Sequence, residues 1–372
     1  MKNYSFDVLV IGGGIAGTSV AANLAPKMKV CVIEAEEHAG YHSTGRSVAV
    51  YAPSYGSDII RNLTDKSSDL FLAAEKSIKQ SILNDRGFLF IASKEQETAL
   101  SNLNKELSKN VCINTLSGKE IFELVPALRK SYVHSAIYDP RAKDIDVASL
   151  HSYYIRKLRE AGAQFLLSHK AKHISKHSEG YDVGCDGSNI TCKTIVNAAG
   201  AWADQIADLA GCKKIGLRPL RRTAFSFNPP DWDYAKWPVV IDCEEKFYIK
   251  PEVNSVIGSP ADETIDIPRD VYPEEIDIAV GMDRINMALD FSVKNINSSW
   301  AGLRTFTPDR DPAVGYDPQQ RDFFWLAGQG GYGIQTAPYL GKLAASMIES
   351  KNYNEENEES NLITALDPKR FC

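Results

Sequence analysis

The chain has 372 residues, of which 44% are hydrophobic and 24% charged, and its formal net charge is −6. That length exceeds one ordinary core and implies two or more domains, while the composition is that of a soluble globular protein. The acidic balance argues against a nucleic-acid binder, no run of about 18 uncharged apolar residues offers a membrane span, and strand-like sequence starts too early for a signal peptide, so the cytoplasm is the expected location.

The first element is the apolar, β-branched run Asp7-Val8-Leu9-Val10-Ile11, which reads as a buried parallel strand. The turn Gly12-Gly13-Gly14-Ile15-Ala16-Gly17 follows, then a helix of small and apolar residues to Leu24, and a second strand, Val30 to Ile33, ending at Glu34. Each residue type has a task. Gly12 permits the tight turn, Gly14 lets a pyrophosphate approach the backbone, and Gly17 lets the helix lie close to the strand. Glu34 comes about 20 residues after the glycines, where a carboxylate accepts hydrogen bonds from a ribose diol. Strand, turn, helix, strand and acid together specify a dinucleotide site.

Gly40 to Ser47 is rich in glycine and small hydroxyls, which suits a ligand-hugging loop or a polar surface loop. Helical spacing runs from Asp58 to about Leu83, with a break at Asn84 to Gly87 and a strand from Phe88 to Ala92. A charged helix is expected over Glu95–Lys109, a short one between Gly118 and Leu128, and a strand and turn over Ala136–Pro140. Val147 to Ala161 is an amphipathic helix, Gln164 to Ser168 a strand, and His173-Ile174, Tyr181 to Val183 and Ile190 to Lys193 three more. Thr194 to Asn197 reads as a buried strand entering the turn Ala198-Ala199-Gly200-Ala201-Trp202, which suits either close ligand approach or tight packing.

From Leu217 to about Trp300 the pattern changes. Arg222-Thr223-Ala224-Phe225-Ser226-Phe227 and Lys246-Phe247-Tyr248-Ile249-Lys250 alternate, as strands of an antiparallel sheet with one apolar face do, with a turn at Asn228-Pro229-Pro230-Asp231. Pro273 to Leu289 is helical. The strand Phe323–Ala327, the turn Gly328-Gln329-Gly330-Gly331-Tyr332-Gly333 and a helix to Met347 make a second anion-friendly helix start. Ser350 to Asn361 reads as a loose acidic segment. Seven scattered cysteines with no CxxC pair support neither a zinc site nor a disulfide framework and suit small core positions. No metal site is expected.

Four stretches in order carry a resemblance: the opening glycines, Val196-Asn197-Ala198-Ala199-Gly200-Ala201-Trp202, Arg304 with Thr307-Pro308-Asp309, and the Gly328 to Gly333 turn. Together the chain resembles the glycine/D-amino-acid oxidase family of FAD flavoproteins over essentially its whole length. Within that family Gly40 to Ser47, Leu303-Arg304 and Gln329 to Thr336 are most similar to the FAD-dependent D-arginine dehydrogenases. The resemblance implies an α/β fold. A discontinuous Rossmann-like FAD-binding domain is expected over 1–84, 146–215 and 301–372, with an α+β substrate domain, its sheet mainly antiparallel, over 85–145 and 216–300.

It also implies non-covalent FAD. Gly12, Gly14, Ala16 and Gly17 would hold the diphosphate, and Glu34 and Ala35 the adenosine ribose, with Ala171 near the adenine. Ser43, Thr44, Gly45, Arg46 and Ser47 would follow the ribityl chain and flavin. Gly200 and the run Gly330, Gly331, Tyr332, Gly333, Ile334, Gln335, Thr336 complete the cofactor set, the second helix start facing the charge of reduced flavin. Arg222 and Arg304 correspond to the pair that grips a substrate carboxylate, for which a bidentate guanidinium suits. Alternation puts Arg221 and Arg222 on opposite faces, so one of them faces the flavin, and the likeness favours Arg222. Tyr55 and Tyr248 correspond to pocket tyrosines, and Gly331 lies beside the substrate.

Two departures follow. Val50 stands where the arginine-specific relatives have a histidine, and Phe88 where they have the acid that pairs with the guanidinium. An apolar residue does not compensate a buried cation. The implied activity is therefore oxidative deamination of a D-amino acid with a neutral or apolar side chain. Other FAD enzymes of the same fold acting on sarcosine-like, proline-like or 2-hydroxyglutarate-like substrates would keep the same features, and a tRNA-modifying or non-catalytic flavoprotein is the alternative from another class. Nothing in the residues selects the electron acceptor, whether oxygen, quinone or another.

Overall fold

The structure is a computed structural model and describes residues 2–109, 111–230, 232–350 and 359–371. Two large sheets organise it. The first has eight strands, five of them parallel in the order Gln164–Leu166, Val30–Ile33, Lys2–Ile11, Ser188–Asn197 and Phe323–Ala327. Val8 and Val10 pack into the core on one side of this sheet, Leu9 and Ile11 into the core on the other. Burial on both faces is why the strand is an unbroken apolar run. The helices Ile15–Leu24 and Gly333–Ser350 pack against each other on one side, where Gly341 leaves no room for a side chain beside Ser19.

The second sheet has ten strands and is mainly antiparallel. Its order is Gln329–Gly330, Ser298–Phe306, Arg218–Phe227, Val256–Ser259, Tyr248–Pro251, Val239–Asp242, Phe88–Ala92, Ser135–Asp139 and Asn114–Ser117, with Thr264–Ile265 on the edge of the third. Val50–Tyr51, Lys143–Ile145 and Leu83–Asp85 form a third, small sheet. This is the α/β architecture expected, a Rossmann-like sheet beside an antiparallel one.

Several local expectations change. The helix from Asp58 stops at Ile78, not Leu83, because Lys79 turns left-handed (φ 57°) and the Glu75 carboxylate accepts the Ile82 and Leu83 amides. Ile190–Lys193 and Thr194–Asn197 are one strand, Ser188–Asn197. The Arg218–Phe227 strand is buried on both faces rather than one. Phe225 packs under Ile285 of the helix Glu275–Ala288, against Gly258 and Gly281, while Arg222 and Ala224 face a cavity on the other side. Of the acidic segment, 351–358 lie outside the described residues, as does Asp231 of the proline turn. Ser360–Leu366 is a helix, anchored by Leu362 and Leu366 in the first core. Among the cysteines Cys31, Cys185, Cys192 and Cys212 are buried, Cys112 is exposed, and Cys372 lies outside the described residues.

Candidate active site

One cavity of about 530 Å³ runs from the opening glycine turn to the face of the second sheet. At its first end Gly12 has φ +115°, and a Cβ there would lie 2.3 Å from the Ala198 carbonyl oxygen, so only glycine fits. A Cβ on Gly17 would lie 1.9 Å from the Gly12 oxygen, which is how closely the helix rests on the turn. Gly17 therefore shapes the turn without lining the cavity. Gly12, Gly14 and Ala16 line it. The Thr44 hydroxyl accepts from the Ile15 amide at 3.0 Å, capping one of the free N–H groups at the start of the helix. Glu34 ends its strand with Oε2 accepting from the Gly13 amide at 2.8 Å and Oε1 from the Glu36 amide at 3.0 Å. These bonds hold the carboxylate at the cavity wall, together with Ala35 and Ala171. His151 was not anticipated here. Its Nε2–H donates to the Gly13 carbonyl at 3.0 Å, and burial holds its pKa below the ordinary value against the effect of that bond.

The middle of the cavity is closed by the Gly40–Ser47 loop. Ser43 donates to the Leu303 carbonyl at 2.6 Å. Arg46 donates to Asp270 at 2.5 Å and to the Ala301 and Val271 carbonyls, tying the loop to the second sheet. Ser43, Thr44, Arg46 and Ser47 reach the cavity, whereas Gly45 accommodates the Gly40 carbonyl behind them. Opposite lie Gly200 and Gly330, Gly331, Gly333, Ile334 and Gln335, at the start of the helix Gly333–Ser350. Tyr332 and Thr336 are buried just behind that wall, Thr336 Oγ1 donating to the Tyr332 carbonyl at 2.9 Å. Gln329 Nε2, Gln335 Nε2 and Thr305 Oγ1 are buried with no hydrogen-bond partner, and all three residues line the cavity. Orphaned polar groups at one spot mark where a polar ligand belongs. Gln329 and Thr305 carry no local signal in the sequence that singles them out.

At the far end stand Arg222 and Arg304. Arg222 opposes Gly302 across the two strands and Arg304 opposes Leu220, so the two guanidinium-bearing residues are diagonal neighbours on one face. Arg221 points the other way and is paired with Glu274 at 2.5 Å and Asp277 at 2.9 Å. Arg222 donates to the Asp262 carbonyl at 2.8 Å and reaches Glu263 at 3.3 Å, but Arg310 already occupies that carboxylate at 2.7 Å. Burial, and then the like charge of Arg304, push the Arg222 pKa down. Arg304 has no carboxylate partner among the described residues. It is half-buried, facing the cavity and Tyr332, whose ring centroid lies 5.9 Å from its Cζ. Its guanidinium lies against Gly331, where a Cβ would be 1.6 Å from Nη2.

Tyr55 stacks on Phe88 at 5.5 Å and donates to Glu245 at 3.1 Å, and burial pushes its phenol pKa up, so it remains a neutral donor. Tyr248, Val50 and Phe88 line this end, as do Val239 and Ile241, which the sequence reading did not single out. The cavity therefore joins a glycine-lined anion cradle, a patch of unpaired donors and a positively charged pocket with an apolar wall.

The chain matches the FAD dependent oxidoreductase (DAO) family over residues 7–347. It is 21% identical to the glycine oxidase of Geobacillus kaustophilus (strain HTA426), covering 94% of each chain. It is 24% identical to the FAD-dependent oxidoreductase domain-containing protein 1 of Bos taurus, over 94% of this chain and 82% of that one. Among solved structures, the L-proline dehydrogenase from P. horikoshii superposes with a TM-score of 0.86 at 26% identity, over 100% of this chain and 98% of that one. An L-α-glycerophosphate oxidase from Mycoplasma pneumoniae with FAD bound gives 0.80 at 18% identity. Among the described residues no helix is long and apolar enough to cross a membrane. The chain belongs to the DAO family of FAD-dependent oxidoreductases, and FAD is its cofactor.

Proposed function

We propose that this protein oxidises a small α-amino acid with a neutral or apolar side chain to the imino acid, a D-amino acid on the first reading, and that water then gives the 2-keto acid and ammonia. The observation that carries it is the pair Arg222 and Arg304 facing the cavity beside an apolar wall, with Arg304 free of any carboxylate partner among the described residues. Gly12, Gly14, Ala16 and Thr44 would hold the diphosphate of FAD, Glu34 the ribose and Ala35 and Ala171 the adenine side. Ser43 to Ser47 and Gly330 to Gln335, with Gln329 and Thr305, would hold the flavin. FAD supplies the two-electron acceptor for the hydride that leaves Cα. The chain supplies orientation. The guanidiniums fix the carboxylate, Tyr55 and Tyr248 line the rest of the pocket, and holding the reacting carbon in place lowers the barrier. The likeness to D-arginine dehydrogenases stops at the side-chain wall, where Val50 and Phe88 leave a guanidinium uncompensated.

A second reading, a small secondary amine such as proline, is favoured by the 26% identity to L-proline dehydrogenase across the whole chain. Anaerobic bleaching of the flavin by a panel of D- and L-amino acids, glycine, proline, sarcosine and 2-hydroxy acids separates the readings. Bleaching by neutral D-amino acids is expected. Proline or sarcosine alone would establish the second reading, 2-hydroxy acids alone would replace both, and no bleaching at all would point to a flavoprotein without small-molecule turnover.

A further inference from the structure

Lys250 stands among the apolar residues at the inner end of the cavity and has no part in the reading above. It lies two residues beyond Tyr248 on the strand Tyr248–Pro251, so both project from the same face, and both line the cavity. It is only 5% exposed. Its ammonium pairs with Glu252 at 2.5 Å and stands 3.3 Å from Asp144 Oδ1, a buried oxygen that accepts no hydrogen bond. Arg86 Nε donates to the other Asp144 oxygen at 2.6 Å. Asp144 is the cross-strand partner of Val50, so their side chains lie on one face, and Lys250 lines the same cavity as Val50 and Phe88, so this group of charges adjoins the side-chain wall.

The group holds two cations, Lys250 and Arg86, and two carboxylates, Asp144 and Glu252, and is balanced. A cationic side chain passing Val50 and Phe88 would bring an uncompensated charge against an ammonium where screening is weak. A neutral side chain of the same length meets apolar walls and brings no such charge. We propose that Lys250 is a specificity-determining residue that makes this subsite refuse cationic amino acids and admit neutral ones of similar length. The inference rests on the amino-acid reading above.

The test compares norleucine with lysine, nearly the same shape with and without the terminal charge, in the enantiomer that reduces the wild-type flavin. Rates of anaerobic flavin reduction against concentration give kcat/KM for each. The wild type is expected to prefer norleucine by at least about tenfold, and equal use of lysine would overturn the proposal. Lys250→Met keeps the stem and leaves the group with one excess negative charge, so its norleucine-to-lysine ratio is expected to fall by about tenfold or more, through the KM for lysine. Lys250→Arg should keep the ratio, and Glu252→Gln, which adds positive excess, should raise it. A Lys250→Met protein with full flavin and an unmoved ratio overturns the proposal. Should that variant lose its flavin, an unmoved ratio in Glu252→Gln does the same. If no amino acid reduces the wild-type flavin, the amino-acid reading falls and this inference falls with it. An active wild type with unmoved ratios removes the role of Lys250 alone.

Discussion

Gly331→Ala tests whether the guanidinium of Arg304 sits where a substrate carboxylate would need it. A Cβ on Gly331 would lie 1.6 Å from Arg304 Nη2 and 2.0 Å from Cζ. Comfortable contact begins at about 3.5 Å, so the guanidinium must retreat by roughly 2 Å. Gly331 does not adopt a positive φ, so alanine adds no backbone strain. The displaced atoms are the free end of a long side chain, and the fold should stand. Charge-assisted N–H···O bonds span about 2.7–2.9 Å, and a retreat of this size breaks at least one of the two that Arg304 could make. Such a bond is worth about 1.5–3 kcal/mol, hence a loss of about 10- to 150-fold in kcat/KM, carried by KM. Stopped-flow flavin reduction across substrate concentrations reads this, with the visible flavin spectrum and Tm as controls. Full flavin, an unchanged Tm and a KM within about threefold of wild type would refute the reasoning.

Other positions give sharper structural readouts. Gly17→Ala sets a Cβ against backbone atoms that cannot yield, 1.9 Å from the Gly12 oxygen, so the purified protein should lack flavin and melt lower, and a full flavin-to-protein ratio would count against the turn geometry. Thr44→Val removes the cap on the Ile15 amide, worth about 0.5–2 kcal/mol of stability, and should lower the Tm of the apoprotein. An unchanged Tm would clear Thr44 of that role. His151 has a folded pKa below its ordinary 6.5, so the unfolded chain binds more protons and stability rises with pH through that region. Acidification from about pH 7.5 to about 5.5 should therefore lower Tm, and His151→Gln should flatten that slope, which an identical slope in both proteins would contradict.

What could be read from the sequence was what is local. Gly12, Gly14, Gly17 and Glu34 lie within one strand–turn–helix–strand unit, and each answers to a steric or hydrogen-bonding demand inside that unit. Val8 to Ile11 could be read as a buried strand because both faces of the sheet are covered. The far end of the cavity was less legible. Val239–Asp242, which carries Val239 and Ile241, is a four-residue strand, too short to display a period. The division of labour between Arg221 and Arg222 depends on Glu274 and Asp277, which arrive some 50 residues later at the start of the helix Glu275–Ala288. Lys250 reads as the solvent-facing residue of an alternating strand until Asp144 and Glu252 are seen to enclose it. The expectation of one apolar face over Arg222–Phe227 failed for the same reason, since the second cover of that strand is the cavity wall.

In the proposed function, Arg222 and Arg304 select a carboxylate beside the flavin. This selection is tested most directly by comparing, without oxygen, flavin reduction by norleucine and by pentylamine, the same amine lacking the carboxylate. Rapid bleaching by one enantiomer of norleucine and none by pentylamine at equal concentration is expected. Equal bleaching by pentylamine would contradict it.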